Sequence, residues 1–219
     1  MAGGIGRRAG DELPKQFHRL LGIPMLWWSV KAFHDEDPET EISVIMHPDF
    51  FEEFEESKKY LPDEFAKIQV KLFAGGNTRG ESVANGLRHI PASENALVAV
   101  HDAARPLVSV EIIRNGWSMA TKHKAVVPVT DVTDSLREKT GDDSKAVDRS
   151  RFAAVQTPQV FESGLLKEAY LLADSPKFTD DASRVEATGK KIFLFDGDAN
   201  NIKVTNPNDF KIAEILLKR

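Results

Sequence analysis

The chain has 219 residues, of which 41% are hydrophobic and 29% charged, with a formal net charge of −5 and no cysteine. This length and composition fit one globular domain that buries its own core, and the lack of cysteine excludes disulfides and thiolate metal sites. No apolar run approaches the ~20 residues of a membrane span and no signal peptide precedes Gly3, so a cytosolic location is expected; the acidic balance argues against nucleic acid polymers held by bulk charge.

The first segment, Met1 to Gln16, carries MAGGIGRR and then PKQ. Gly3, Gly4 and Gly6 let backbone amides approach a ligand with no Cβ in the way, and Arg7, Arg8 and Lys15 add positive charge, a combination suited to a polyphosphate. No Gly-Lys-Ser/Thr closes the loop as in a Walker A motif, and the third glycine of the dinucleotide fingerprint is missing. A flexible terminus is the other reading of such glycines, and the local excess of cations in an acidic chain weighs against it. A phosphate loop in an open sheet is normally fed by a buried strand, yet here Met1 abuts the glycines directly.

Further along, apolar β-branched runs at 41–46, 68–73, 96–101, 125–129 and 191–195 predict strands. Stretches of helical period at 25–33, 50–60, 81–89, 110–121, 162–173 and 209–218 predict helices. Alternation of this kind predicts an α/β fold, a mostly parallel sheet flanked by helices, with ligands at the carboxyl ends of strands. The 50–60 helix reads as amphipathic with a solvated acidic face. Residues 129–154 break the pattern with a polar segment whose tip, Gly141-Asp142-Asp143, suits a hairpin. A hairpin that cannot bury both faces alone packs on something else, so this segment is expected to be a dimerisation arm inserted in a single 1–219 domain, with a solvated loop as the alternative.

Several turns carry candidate chemistry. Gly75-Gly76-Asn77-Thr78 with Ser82 follows a strand and opens a helix, offering amides and a hydroxyl to a nucleotide. His101-Asp102-Ala103-Ala104-Arg105-Pro106 ends another strand, where Asp102 is either a helix cap or one oxygen ligand of a Mg²⁺ completed by phosphates. Thr179-Asp180-Asp181-Ala182-Ser183 reads as a helix cap centred on Thr179 or Asp180. Lys203, in Asn200-Asn201-Ile202-Lys203-Val204-Thr205, is either solvated or a second cation for a transferring phosphoryl group. The six histidines show no metal-ligand spacing and read as surface or capping residues, and no Gly-x-Ser-x-Gly elbow is present.

Taken together, AGGIGRR, LPKQ, GGNTR with Ser82, VHDAARP, PVTD, VDR, QTPQ, TDDAS and NIKVT, in this order over essentially the whole length, resemble the 2-C-methyl-D-erythritol 4-phosphate cytidylyltransferases. The resemblance implies a Rossmann-like nucleotidyltransferase fold with a protruding β-arm, and transfer of the cytidylyl group of CTP to a polyol phosphate with Mg²⁺ as cofactor. It implies that Arg8, Lys15 and Lys203 stabilise the α-phosphate and pyrophosphate, and that Asp102 holds the metal. Ala2, Gly3, Gly4, Gly6, Gly76, Asn77, Ser82, Asp102 and Ala103 are the implied nucleotide contacts. Arg105, Ser135, Arg149 and Thr157 are implied at the acceptor, with Arg149 reaching across a homodimer. The chain departs from the family pattern at Asn77 and Asn200, where many members carry Asp, and an extra Val-Thr-Asp leaves Thr133 and Ser135 as rival acceptor hydroxyls. Ribitol 5-phosphate as acceptor, or a CTP-binding regulatory protein without chemistry, are the alternatives.

Overall fold

The computed structural model describes residues 1–2, 14–93, 96–173, 175 and 177–218. Its elements begin with a short hairpin, β1 (Arg19–Leu20) and β2 (Ile23–Pro24), which runs into α1 (Met25–Glu36). Next come β3 (Ile42–Met46), α2 (Phe51–Lys58), α3 (Asp63–Ala66), β4 (Val70–Ala74), α4 (Arg79–Leu87), β5 (Leu97–Val100) and α5 (Val110–His123). The second half holds β6 (Ala125–Asp131), β7 (Leu136–Thr140), β8 (Asp143–Val147), β9 (Ala153–Val155), β10 (Gln159–Glu162), α6 (Ser163–Ala169), α7 (Asp181–Ala187), β11 (Phe193–Asp196) and α8 (Pro207–Leu217).

β3 and β4 pair in parallel, from Ile42 opposite Val70 to Met46 opposite Ala74. A second sheet runs β11-β6-β10-β5, with β9 added to the far end of β6. Within it β11 is parallel to β6, whereas β10 is antiparallel to both neighbours. The β/α alternation is as expected, and the sheet is mixed where β10 enters. The sequence pattern leaves 159–161 outside any element and starts a helix at 162. Four residues are too few to show a period, and all four of β10 are buried, so no alternation marks them.

The helices form where caps and apolar faces agree. Ser109 accepts the Ile112 N–H at the start of α5, and Lys124, left-handed at φ 66°, ends it. α1 buries Met25, Leu26, Trp27, Val30 and Phe33, and Trp27 stacks on Phe54 of α2 with ring centroids 5.3 Å apart. Phe54 is wholly buried, so Phe54→Ala would cost ~3–5 kcal/mol. Glu55 pairs with Lys58, whose ammonium also lies over the Phe54 ring, and Glu56 pairs with Lys59 just past the helix end. β7 and β8 pair only with each other among the described residues, closing on a Gly141-Asp142 turn in which Gly141 takes φ +59°. No helix among the described residues is long and apolar enough to cross a membrane.

Candidate active site

The turns that carry chemistry converge at the C-terminal ends of β4 and β5. After β4, Gly75 and Gly76 bring the backbone against α4. A Cβ on Gly76 would sit 2.4 Å from Cβ of Glu81, and one on Gly75 would sit 2.9 Å from the Ser82 hydroxyl. Ser82, 1% exposed, accepts the Gly76 N–H at 3.0 Å and donates to the Thr78 carbonyl at 2.9 Å. Glu81 accepts the Asn77 N–H at 2.7 Å. Gly76 and Asn77 thus lie on one preformed loop, while Ser82 fixes the shape of that loop from beneath.

After β5 comes Asp102. Lys203 Nζ lies 2.8 Å from its Oδ2, and Arg79 Nε lies 3.8 Å from its Oδ1. Burial alone would raise the Asp102 carboxyl, but Lys203, Arg79 and the Met1 ammonium outweigh it and hold the group far below the usual carboxylate range. It is therefore ionised at any working pH. Arg79 in turn donates to Asp181, fully buried in α7, at 2.7 Å, and Tyr170 donates to the same carboxylate. Burial disfavours the Arg79 cation, but Asp181 and Asp102 more than offset this and keep it charged.

His101, expected at the surface or as a cap, is buried instead at 8% exposure. Its Nε2 lies 3.1 Å from the Arg105 carbonyl, which can only accept, so Nε2 carries the proton and Nδ1 accepts from the Thr157 hydroxyl at 3.1 Å. The Asp102 N–H donates to that same hydroxyl. Burial holds the ring neutral, with its pKa lowered to about 3. The result is a bond chain that fixes Asp102, Thr157 and the Arg105 backbone relative to one another. Burial of His101 is invisible in the sequence because its partners come from separate turns.

The QTPQ turn and the 198–205 loop lock together. Buried Asn201 donates to the Thr157 carbonyl at 2.9 Å, and Gln156 donates to the Asp198 carbonyl at 2.8 Å. Arg105 donates to the Asn201 carbonyl at 2.7 Å and to the Val155 carbonyl at 3.3 Å, while its Nε has no hydrogen-bond partner among the described residues. Lys15, in a short 3-10 turn, donates to the Val204 carbonyl at 3.0 Å, which ties it to the backbone beside Lys203. Ala103 donates to the Met1 carbonyl, and the Ala2 N–H and carbonyl bind the Ile45 carbonyl and the Gln16 amide.

Lys15, Lys203, Asp102, Ala103, Arg105 and Thr157 are therefore joined through one network, with the Gly76–Asn77 loop linked to it by Arg79. Ser135 and Arg149 are not in it. Both are exposed on the arm, where Arg149 donates to the Thr133 carbonyl. Gly3, Gly4, Gly6 and Arg8 lie outside the described residues. Arg79 and Asn201 fall within the GGNTR and NIKVT motifs, but the sequence assigns neither of them a role. Among the described residues no three His, Cys, Asp or Glu side chains gather as a metal nest. Asp102 alone, ionised and partly open at 14% side-chain exposure, fits a metal held by one carboxylate and ligand phosphates.

An α/β sheet that gathers cations and one ionised carboxylate at its strand ends, beside a preformed glycine turn, fits the chemistry of a nucleotidyltransferase. The family model described as IspD: 2-C-methyl-D-erythritol 4-phosphate cytidylyltransferase matches residues 1–219, and the chain belongs to that family. The 2-C-methyl-D-erythritol 4-phosphate cytidylyltransferase of Bacteroides thetaiotaomicron is 42% identical over 220 residues, covering 99% of this chain and 97% of that protein. The crystal structure of the Thermus thermophilus enzyme of the same name matches with TM-score 0.77 at 33% identity, over 100% of this chain and 96% of the other. The 4-diphosphocytidyl-2C-methyl-D-erythritol synthase structure from Anaerococcus prevotii gives TM-score 0.82 at 26% identity, over 100% and 93%. The chain is thus a cytidylyltransferase, with the nucleotidyltransferase Rossmann-like fold of these structures.

Proposed function

We propose that this chain transfers the cytidylyl group of CTP to the phosphate of 2-C-methyl-D-erythritol 4-phosphate. The products are 4-diphosphocytidyl-2-C-methyl-D-erythritol and pyrophosphate, in isoprenoid precursor biosynthesis. The observation that carries the reading is the Asp102–Lys203 pair at 2.8 Å with Lys15 tied to Val204, on a chain that matches the family model from end to end.

The acceptor phosphate is already an anion, so its oxygen attacks the α-phosphorus without a general base, and pyrophosphate leaves as its bond to that phosphorus breaks. What the protein must supply is position and positive charge. Lys15 and Lys203, together with Arg8, supply that charge at the α-phosphate and the leaving pyrophosphate. Both ring nitrogens of His101 are engaged, so it holds Asp102 and Thr157 in place rather than moving a proton. Mg²⁺ belongs to this proposal: Asp102 is the side chain that would hold it, and when bound it supplies neutralising charge to the triphosphate. Lys203, beside Asp102, is the cation that would meet the α-phosphate. Gly76 and Asn77, with the backbone at Ala2 and Gly3, are the residues assigned to the base and ribose, and Arg105 and Thr157 those assigned to the acceptor.

A homodimer completes the proposal, in which the β7–β8 arm brings Arg149 and the Thr133 or Ser135 hydroxyl to the acceptor site of the neighbouring protomer. Supporting it, the arm pairs with no other strand among the described residues, and an isolated two-stranded hairpin is marginal alone. A cytosolic location is part of the same reading. The test is pyrophosphate release with CTP and Mg²⁺, supplying methylerythritol phosphate or ribitol 5-phosphate. Release with the first acceptor alone supports the proposal. Release with ribitol 5-phosphate alone, or CTP binding with no release from either, contradicts it.

A further inference from the structure

Asp181, at the first turn of α7, is a carboxylate sealed from solvent, with 0% exposure. Taking such a group out of water is costly, and a buried ion pair often adds no net stability over apolar side chains of the same volume. Its partners show what it is for. Tyr170, just past α6, donates its phenol to Oδ1, and Arg79, the first residue of α4, donates Nη2 to Oδ2 at 2.7 Å. Burial and the Asp181 charge raise the phenol well above its ordinary pKa, so it stays a donor. Each carboxylate oxygen thus has a donor, and the Arg79 guanidinium is gripped at one end.

Another atom of that guanidinium faces the reaction site. Arg79 Nε lies 3.8 Å from Asp102 Oδ1, whereas Lys203 Nζ lies 2.8 Å from Oδ2. At 3.8 Å Arg79 lends its charge to Asp102 without making a hydrogen bond to it. The Arg79 side chain is 36% exposed, so it has room to turn. Asp181 is what keeps it from closing on Asp102.

We propose that Arg79 is a positioning residue for the reaction, and that Asp181, steadied by Tyr170, holds its guanidinium off Asp102 so that this carboxylate stays available to a divalent cation. The inference rests on the reading of Asp102 as the metal-holding side chain. An arginine left beside a single carboxylate closes into a forked pair of parallel N–H···O bonds, and that pair competes with a cation for the same oxygens. A second carboxylate, buried and with a donor of its own, prevents the closure. The same grip sets the nucleotide loop. Arg79 follows Thr78, which caps α4 by accepting the Glu81 N–H, so the Gly76–Asn77 loop and Asp102 share a frame anchored in α7.

Asp181→Asn tests the restraint. It keeps the size of the side chain and an oxygen for the Tyr170 phenol, but turns an amide donor toward Arg79 Nη2. Two donors cannot bond, so Arg79 is released. CTP binding is measured by calorimetry with no acceptor present, in Mg²⁺ titrations and in EDTA, and the melting temperature is read alongside. In Asp181→Asn the Mg²⁺ concentration giving half of the gain in CTP affinity should rise by about tenfold or more, while affinity in EDTA stays close to that of the unaltered chain. Tyr170→Phe loosens Asp181 without removing its charge; it should shift the requirement the same way by a smaller factor, and it serves where Asp181→Asn does not fold. Adding Arg79→Gln to either variant removes the competing guanidinium and should bring the Mg²⁺ requirement back down. A merely structural role predicts the opposite, because the double variant loses more of the network than the single one.

An unchanged Mg²⁺ requirement in both Asp181→Asn and Tyr170→Phe, or a double variant no better than the single, overturns the proposal. CTP binding by the unaltered chain that ignores Mg²⁺ would overturn the reading of Asp102 itself, and the restraint with it.

Discussion

Lys203→Ala separates charge used in the reaction from charge used in folding. Lys203 Nζ is 2.8 Å from Asp102 Oδ2, but its side chain is 46% exposed, and an ion pair at such exposure contributes ~0–1 kcal/mol to stability. Asp102 also keeps Arg79 at 3.8 Å, so its carboxyl stays ionised in the variant and the fold loses little. In the transition state the same ammonium faces charge gathering on the α-phosphate, with bound ligands excluding water. Loss of one such preorganised group costs ~3–4 kcal/mol, and turnover measured by pyrophosphate release at saturating substrates should therefore fall by about 10²–10³. The melting temperature should shift by no more than a few degrees. Lys203→Arg, which keeps the charge, should recover part of the loss. Near-normal kcat in Lys203→Ala, or a loss explained by unfolding, would refute the reasoning.

Other consequences follow from the same geometry. The His101 pKa of about 3 in the folded chain lies below the ordinary 6.5, so the unfolded chain binds the extra proton and stability drops as pH falls below about 6.5. Between pH 6 and pH 5 the loss should be about 1 kcal/mol in urea unfolding, and His101→Gln should flatten that slope; identical slopes contradict the buried neutral ring. Gly76→Ala places a Cβ 2.4 Å from Cβ of Glu81, so the loop must shift, and the KM for CTP should rise with the KM for the acceptor little changed. A uniform fall in activity with a lowered melting temperature would show a general folding defect instead. Arg149→Ala should weaken use of the acceptor, and mixing it with Lys15→Ala subunits should restore activity if the arm crosses between protomers. No recovery on mixing contradicts the crossed arm.

Much of the site is legible in the sequence because its parts are local motifs. The Gly75-Gly76 turn, Asp102 at a strand end and Lys203 near the C-terminus each stand out from their neighbours. The Asp180 cap is legible for the same reason, and its side chain does accept the Ser183 N–H. What stays hidden depends on residues far apart in the chain. Arg79 acquires its role from Asp181, 102 positions away, and Asn201 from the Thr157 carbonyl, 44 positions away. β10 escapes notice since a short strand buried on both faces has no polar alternation, and α6, ending at Ala169, is shorter than the 162–173 pattern because the apolar Leu171 and Leu172 beyond it are not buried.

The most direct test of the mechanism follows oxygen. Methylerythritol phosphate labelled with ¹⁸O in its phosphate is reacted with CTP, Mg²⁺ and this chain, and the products are separated for mass spectrometry. Attack by the acceptor phosphate on the α-phosphorus leaves all of the label in the diphosphate of the cytidylylated product and none in pyrophosphate. Label in pyrophosphate, or product formed without it, would contradict the account.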